Sequence, residues 1–274
     1  MKAKLIYLCA CWFLTFGTPV VSETYTVGIV PQQSPKKLAQ AWQPLINYLS
    51  TITGHEWRFE TAKDIPAFEK ALANGEYDLA YMNPYHLVVF SEAAGYRAIA
   101  RQKEKYIQGI IVVNKTSNVN TLADLNGADI AFPAPAAFAA SIIPQAKLRQ
   151  EGIQFNPVYV HSHDSVYLNV HRAFFVAGGG IYRTLNVAPK AVNKDLNVLW
   201  ESPPFTPHAL AVHPKLKPAL ATKLQNALLQ LARTDSVGKE ILTGLKMKGF
   251  VLAKNEDWND VRALNINLLS SVGE

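Results

Sequence analysis

The sequence predicts an α/β protein of two lobes, each a mainly parallel sheet flanked by helices, joined by a double-stranded hinge. Three observations predict it. Apolar, β-branched runs alternate with amphipathic helical stretches from Thr24 onward, the pattern of βαβ units. That alternation pauses near Lys105–Gln108 and resumes as a second unit of similar size, which ends at Ser202-Pro203-Pro204-Phe205-Thr206-Pro207. The helices after this Pro-rich joint carry apolar faces that must pack back on the first unit. Two crossings between two lobes make a cleft, and clefts between domains are favoured ligand sites.

The N-terminus reads as a secretory signal peptide over residues 1–22. Lys2 and Lys4 form a basic n-region, Leu5 to Phe16 an uncharged apolar run too short to span a bilayer, and Val20-Val21-Ser22 supplies small residues for cleavage after Ser22. Leu8-Cys9-Ala10-Cys11 falls too early in the apolar run for a lipoprotein box. The first lobe is expected over 23–106 and 208–274, the second over 107–207.

In order, Thr24–Val30 alternates and suits a strand. Pro31–Pro35 is a loop, and a helix runs from about Lys36 to Thr53. Trp57–Thr61 is a short strand, and Asp64 caps a helix that stops at Asn74-Gly75. Leu79–Met82 is a buried strand that stops at Asn83-Pro84, a good N-cap followed by a proline whose missing N–H costs nothing at the first helical position. Arg97–Gln102 and Gln108–Asn114 are strands, and Thr121–Gly127 is a short capped helix. Asp129–Phe132 is a strand. A helix over Ala136–Gln150 contains Pro144, which kinks it or marks its first turn. Val158–His161 is a strand, Asp164–Ala173 a helix, and Phe175–Ala177 a strand ending in Gly178-Gly179-Gly180. Val198–Ser202 and His208–His213 are extended. Helices follow over Pro218–Thr234, Ser236–Leu242 and Trp258–Leu269.

Composition narrows the function. Both cysteines, Cys9 and Cys11, lie in the signal segment, so the exported chain carries no disulfide and depends on its core. Loss of Lys2 and Lys4 lowers the formal charge from +6 to +4, with no basic run, which argues against nucleic acid and is compatible with an anionic ligand. No nucleophile elbow, cysteine nucleophile or paired carboxylate motif stands out, so no enzyme is expected. His161-x-His163 lacks a third ligand at suitable spacing, so neither metal nor cofactor is expected.

Ligands of open α/β sheets sit where a strand delivers its chain into a helix N-terminus. Tyr81 and Tyr85 flank that junction at Asn83-Pro84 and are candidate ligand contacts. Gln32 and Gln33, after the first strand, offer amide donors. His163-Asp164-Ser165 starts a helix after a strand: Ser165 and helix N–H groups hold an anion with His163 donating, or Asp164 or Ser162 simply caps the helix. The three glycines permit close backbone approach, and Arg183 after them pairs with an anionic ligand or a surface carboxylate. Tyr106 and Phe205 belong to hinge packing or the cleft wall.

The chain resembles the periplasmic phosphate/phosphite/phosphonate-type substrate-binding proteins of ABC transporters. The carriers are Gly75-Glu76-Tyr77-Asp78-Leu79-Ala80-Tyr81 leading to Asn83-Pro84-Tyr85, then Leu122–Gly127, Phe132-Pro133-Ala134-Pro135 and His163–Tyr167. Gly178–Gly180 with Arg183-Thr184, and Pro203–Phe205 running into His208–Pro214, complete them. The resemblance covers the whole exported chain and implies a two-lobed, type II binding fold closing on a small anion. It implies a membrane permease as partner, or a sensor ectodomain as the alternative, and a monomer in the periplasm. The lobe-two wall would be the helix start at Ala136, Ala137 and Phe138. The family's phosphonate binders carry a Ser/Thr-rich turn there, because hydroxyls and free N–H groups together hold a phosphoryl oxyanion. Here the turn reads Ala136-Ala137-Phe138-Ala139-Ala140-Ser141. Each lost hydroxyl bond to a charged group is worth about 1.5–3 kcal/mol, which leaves carboxylate, sulfonate and aromatic-bearing anions open beside phosphonate.

Overall fold

A computed structural model describes residues 23–234 and 236–269; the expected signal peptide, residues 1–22, lies outside the described residues. The first elements are β1 (Thr24–Ile29), α1 (Pro35–Thr53), β2 (Glu56–Glu60), α2 (Ile65–Ala73), β3 (Leu79–Met82), α3 (Pro84–Ala93) and β4 (Arg97–Gln102). Then come β5 (Gly109–Asn114), a 3-10 turn (Leu122–Leu125), β6 (Ala128–Phe132), a π-helical turn (Phe138–Ile142), α4 (Ile143–Gln150), β7 (Phe155–Tyr159), α5 (His163–His171) and β8 (Ala177–Ile181). The rest are α6 (Tyr182–Leu185), α7 (Lys190–Asn193), β9 (Leu196–Glu201), β10 (Ala209–Val212), α8 (Pro218–Gln230), α9 (Ser236–Leu245), β11 (Phe250–Leu252) and α10 (Asn259–Arg262).

These form two sheets, ordered β11-β4-β10-β3-β1-β2 and β7-β6-β8-β5-β9. Strands β1, β2 and β3 run parallel, as do β6, β7 and β8. Both sheets are nonetheless mixed. β10 inserts antiparallel between β3 and β4, β11 pairs antiparallel with β4, and β5 is antiparallel to β8 and β9. The returning chain therefore does more than add helices to the first lobe: it supplies one central and one edge strand of its sheet.

Local signals explain most element starts. The Asp64 side chain accepts from Ala67 N–H at 2.8 Å, and the Asn83 side chain accepts from His86 N–H at 2.8 Å with Pro84 opening α3. Gly54 closes α1 in the left-handed region at φ 75°. Several extents differ from expectation, and the strand expected over Val158–His161 begins three residues earlier, at Phe155. Three other differences bear on the packing. The glycines 178–180 do not end the strand but form it, because their lack of side chains is what the packing needs. The helix expected over Ala136–Gln150 divides into a π turn and α4. Pro144 has no N–H to give the carbonyls of Ala139 and Ala140, while Ile143 N–H reaches back to Phe138 O. The last helix stops at Arg262, with Asn265 at φ 49°, and the chain beyond it crosses α3.

The lobes are linked by two crossing segments that bond to each other. Ile107 and Phe205 exchange both backbone hydrogen bonds at 2.9 Å, and Ser202 Oγ accepts from Gly109 N–H at 2.9 Å.

Candidate functional site

The lobes meet along the strand ends, where β1, β3 and β10 of the first sheet face the π turn and the start of α5 from the second. Several contacts join the lobes, and three of them close the cleft around its inner cavity. His163 N–H donates to Gln32 O at 3.2 Å, Asn83 Nδ2 donates to Ala136 O at 3.2 Å, and Lys37 Nζ pairs with Asp164 Oδ2 at 2.8 Å. The cleft is closed. Its inner cavity has about 10 Å³ of free volume, at the lower limit of the ~10–15 Å³ that one water occupies. Its polar walls are Gln32, Asn83, His163 and His208, opposed by Phe138, Ala139 and Ala140. No acidic side chain lines it among the described residues.

The π turn is held against the second sheet by glycines. A Cβ at Gly109 would stand 2.2 Å from Ala139 O, and one at Gly179 would stand 2.0 Å from Ala140 O. No other residue permits that approach. The turn's N–H groups then stand at the head of a helical segment, where no preceding carbonyl is in register. None of the N–H groups of Phe138, Ala139 and Ala140 meets an acceptor among the described residues. Three adjacent donors therefore flank the inner cavity, backed by the π turn and α4. The Phe138 ring, 1 % exposed, packs edge-on against Phe205 of the hinge at 5.3 Å.

The two histidines are neutral. Burial drives His163 down to about 3. Its Nδ1 lies 3.1 Å from Thr184 Oγ1, which leaves Nε2 for a ligand. His208 sits well below its ordinary value, first from burial and then from the charge of Arg183, with His163 and His86 adding to it. Gln32 Nε2 donates to His208 Nε2 at 3.0 Å, which requires that nitrogen to be unprotonated. His208 stacks on Tyr81 at 5.0 Å and 16°, and the Arg183 guanidinium lies 5.5 Å from the centre of the same ring.

The expected site residues divide. Gln32, Ala137, Phe138 and His163 line the inner cavity, and Tyr81 and Arg183 line a second cavity beside it. Ala136 takes part only through its carbonyl, the acceptor for Asn83. Tyr85 is elsewhere: its buried hydroxyl donates to Ile266 O and accepts from Leu268 N–H at 2.8 Å and Leu269 N–H at 3.2 Å. Two residues of helix turn the chain by about 200°, so with Asn83 facing the cleft Tyr85 faces away. Asp164 is turned to Lys37 rather than inward, and its charge would oppose an anion. Ser165 spends its groups on the helix cap, Oγ on Ser162 Oγ at 2.9 Å and N–H on the same oxygen at 3.1 Å. Sequence reasoning missed Asn83 as a cleft residue, and it missed His208. Asn83 was readable only as a cap; His208, directly after the Pro-rich joint, had a positional signal.

Comparison with known proteins agrees with this architecture. The phosphate-import protein PhnD of Mycolicibacterium smegmatis is 23 % identical, over 88 % of this chain and 84 % of its own. Prochlorococcus marinus PhnD1 in complex with methylphosphonate superposes with a TM-score of 0.81 at 19 % identity, covering 88 % of this chain and 98 % of that one. The binding-protein component of a phosphonate ABC transporter from Pseudomonas aeruginosa gives 0.81 at 16 % identity, covering 89 % and 86 %. Both have the type II periplasmic binding fold. Residues 27–258 match a family across both sheets and the hinge, and through them this chain belongs to the periplasmic substrate-binding proteins of phosphonate ABC transporters.

Proposed function

We propose that the chain captures a small phosphonate- or phosphate-class oxyanion in the cleft and hands it, in the closed form, to a membrane permease. The observation that carries this is the row of three unpartnered N–H groups at Phe138–Ala140, facing a cavity without carboxylates. Such a row is an anion site even without hydroxyls. Asn83 Nδ2, on exchanging Ala136 O for the ligand, and His163 Nε2, in the tautomer whose Nδ1 accepts from the Thr184 hydroxyl, would complete the donors from either lobe. A ligand touching both lobes favours the closed state by its differential affinity. The closed cavity is too small to admit it, so the ligand enters the open cleft and the Phe138 ring yields to it. The relatives named as phosphate-import and phosphonate-binding proteins support the same ligand class. Thermal denaturation with methylphosphonate, inorganic phosphate, sulfate and acetate tests it. Methylphosphonate or phosphate at millimolar concentration should raise Tm by several degrees; no shift with either would sink the reading.

A further inference from the structure

Beside the inner cavity lies a larger one of about 40 Å³, several times what one water needs. The two share Ile107, Ile181 and His208, so they adjoin. Its polar walls are Tyr81, Gln102, Lys105, Gln108, Tyr182 and Arg183. No acidic side chain lines it among the described residues. Arg183 comes from the second lobe, at the start of α6, and its guanidinium reaches over Tyr81 of the first.

Arg183 is half-buried in this closed cleft, yet no carboxylate among the described residues pairs with it. The other half-buried arginines, Arg101 and Arg262, each have one. Lys105, at the mouth of the same cavity, is also without one among the described residues. Glu201 accepts from the hydroxyl of Tyr182, the residue before Arg183. A guanidinium removed from bulk water without a counter-charge is costly unless something supplies one. Its planar fork suits a carboxylate held by two parallel bonds.

We propose that this outer cavity is a second subsite, where Arg183 takes a second anionic group of the ligand, a carboxylate or its equivalent. The proposal rests on the reading above for where the first oxyanion sits. It names the substrate class as a doubly anionic small molecule, such as a phosphonate carrying a carboxylate one or two carbons away. An ammonium at the same place would meet Arg183 and Lys105 and be rejected.

Calorimetric titration of the purified protein with methylphosphonate, phosphonoacetate, 2-aminoethylphosphonate and malonate tests it, on the native protein and on Arg183→Gln. Phosphonoacetate should bind at least about tenfold tighter than methylphosphonate, and 2-aminoethylphosphonate more weakly than either. Arg183→Gln should collapse the phosphonoacetate preference to near unity, with Arg183→Lys keeping part of it. Equal binding of the phosphonates, or a preference for 2-aminoethylphosphonate, overturns the subsite and leaves the oxyanion reading standing. The native protein decides this even if the variants fold poorly. Malonate binding that depends on Arg183 without binding of any phosphonate upholds the subsite and removes the phosphonate reading. No binding of any of the four overturns the subsite; inorganic phosphate, added as a fifth titrant, then decides whether the oxyanion reading survives it.

Discussion

His163 and His208 are held neutral by burial on either side of the inner cavity, and that has a consequence for pH. Both have folded pKa values below the unfolded value near 6.5. Between that value and about 3, where His163 titrates in the fold, the unfolded chain binds protons that the closed protein does not. Stability is therefore full above pH 6.5 and falls as pH drops, by up to about 1.4 kcal/mol per pH unit for each histidine. Denaturant titrations from pH 7 to pH 4 should show this loss, and His163→Gln should make it shallower, with the part due to His208 remaining; a flat native profile would contradict the burial. Tyr85 gives the converse prediction. Tyr85→Phe strands the N–H groups of Leu268 and Leu269 and should cost about 1–3 kcal/mol with oxyanion affinity unchanged, measured by denaturation and calorimetry. A loss of affinity would return Tyr85 to the cleft. The sequence made Tyr85 attractive because it flanks the strand–helix junction. Composition cannot say which side of a helix faces a lobe not yet placed, and the junction's cleft residue is Asn83, two positions earlier.

At the scale of elements, the π turn over Phe138–Ile142 is the feature on which the anion site depends, and its position is set by glycines in neighbouring strands. Gly179→Ala places a methyl where Ala140 O and the Phe132 ring already stand, at 2.0 and 2.6 Å. Backbone cannot give way as a side-chain tip can. The substitution should cost about 1–3 kcal/mol and lower oxyanion affinity at least tenfold, because the three N–H groups move with the turn. Unchanged affinity in a folded Gly179→Ala protein would mean that the ligand does not use them. Part of this was legible: the glycines announced close backbone approach, and Pro144 announced a break. What the glycines made room for was not, since Gly109 and Ala139 lie in separate elements. The order of the strands was hidden for a related reason. Ala209–Val212 reads as a strand, but its insertion antiparallel between β3 and β4 depends on the path of the returning chain. Phe250–Leu252, three residues long, gives no periodicity to read.

For the whole molecule, the question is how closure without ligand affects capture. Lys37–Asp164, His163–Gln32 and Asn83–Ala136 tie the lobes together around a cavity that the Phe138 ring and its neighbours already fill. The two crossings that permit closure were evident from the chain's order. These ties were not, because Lys37 and Asp164 are ordinary surface residues until the lobes meet. A closed form with room for about one water competes with the ligand, which enters only when the lobes part. The observed association rate is then the intrinsic rate multiplied by the open fraction. The Lys37–Asp164 pair is partly exposed, its side chains 39 % and 22 % accessible, so it contributes at most about 1 kcal/mol. Removing it shifts the open-to-closed ratio by up to about fivefold. Lys37→Ala leaves Asp164 to favour the α5 N-terminus, so its effect falls on closure rather than on the helix. The variant should raise the unliganded radius of gyration in solution scattering and speed association of methylphosphonate by up to about fivefold in stopped-flow Trp fluorescence. Raised salt should do the same to the native protein, because a half-exposed pair is screened. If neither the radius nor the rate moves in the variant or in salt, the pair does not govern opening, and closure rests on the hinge and on the Phe138–Phe205 contact instead.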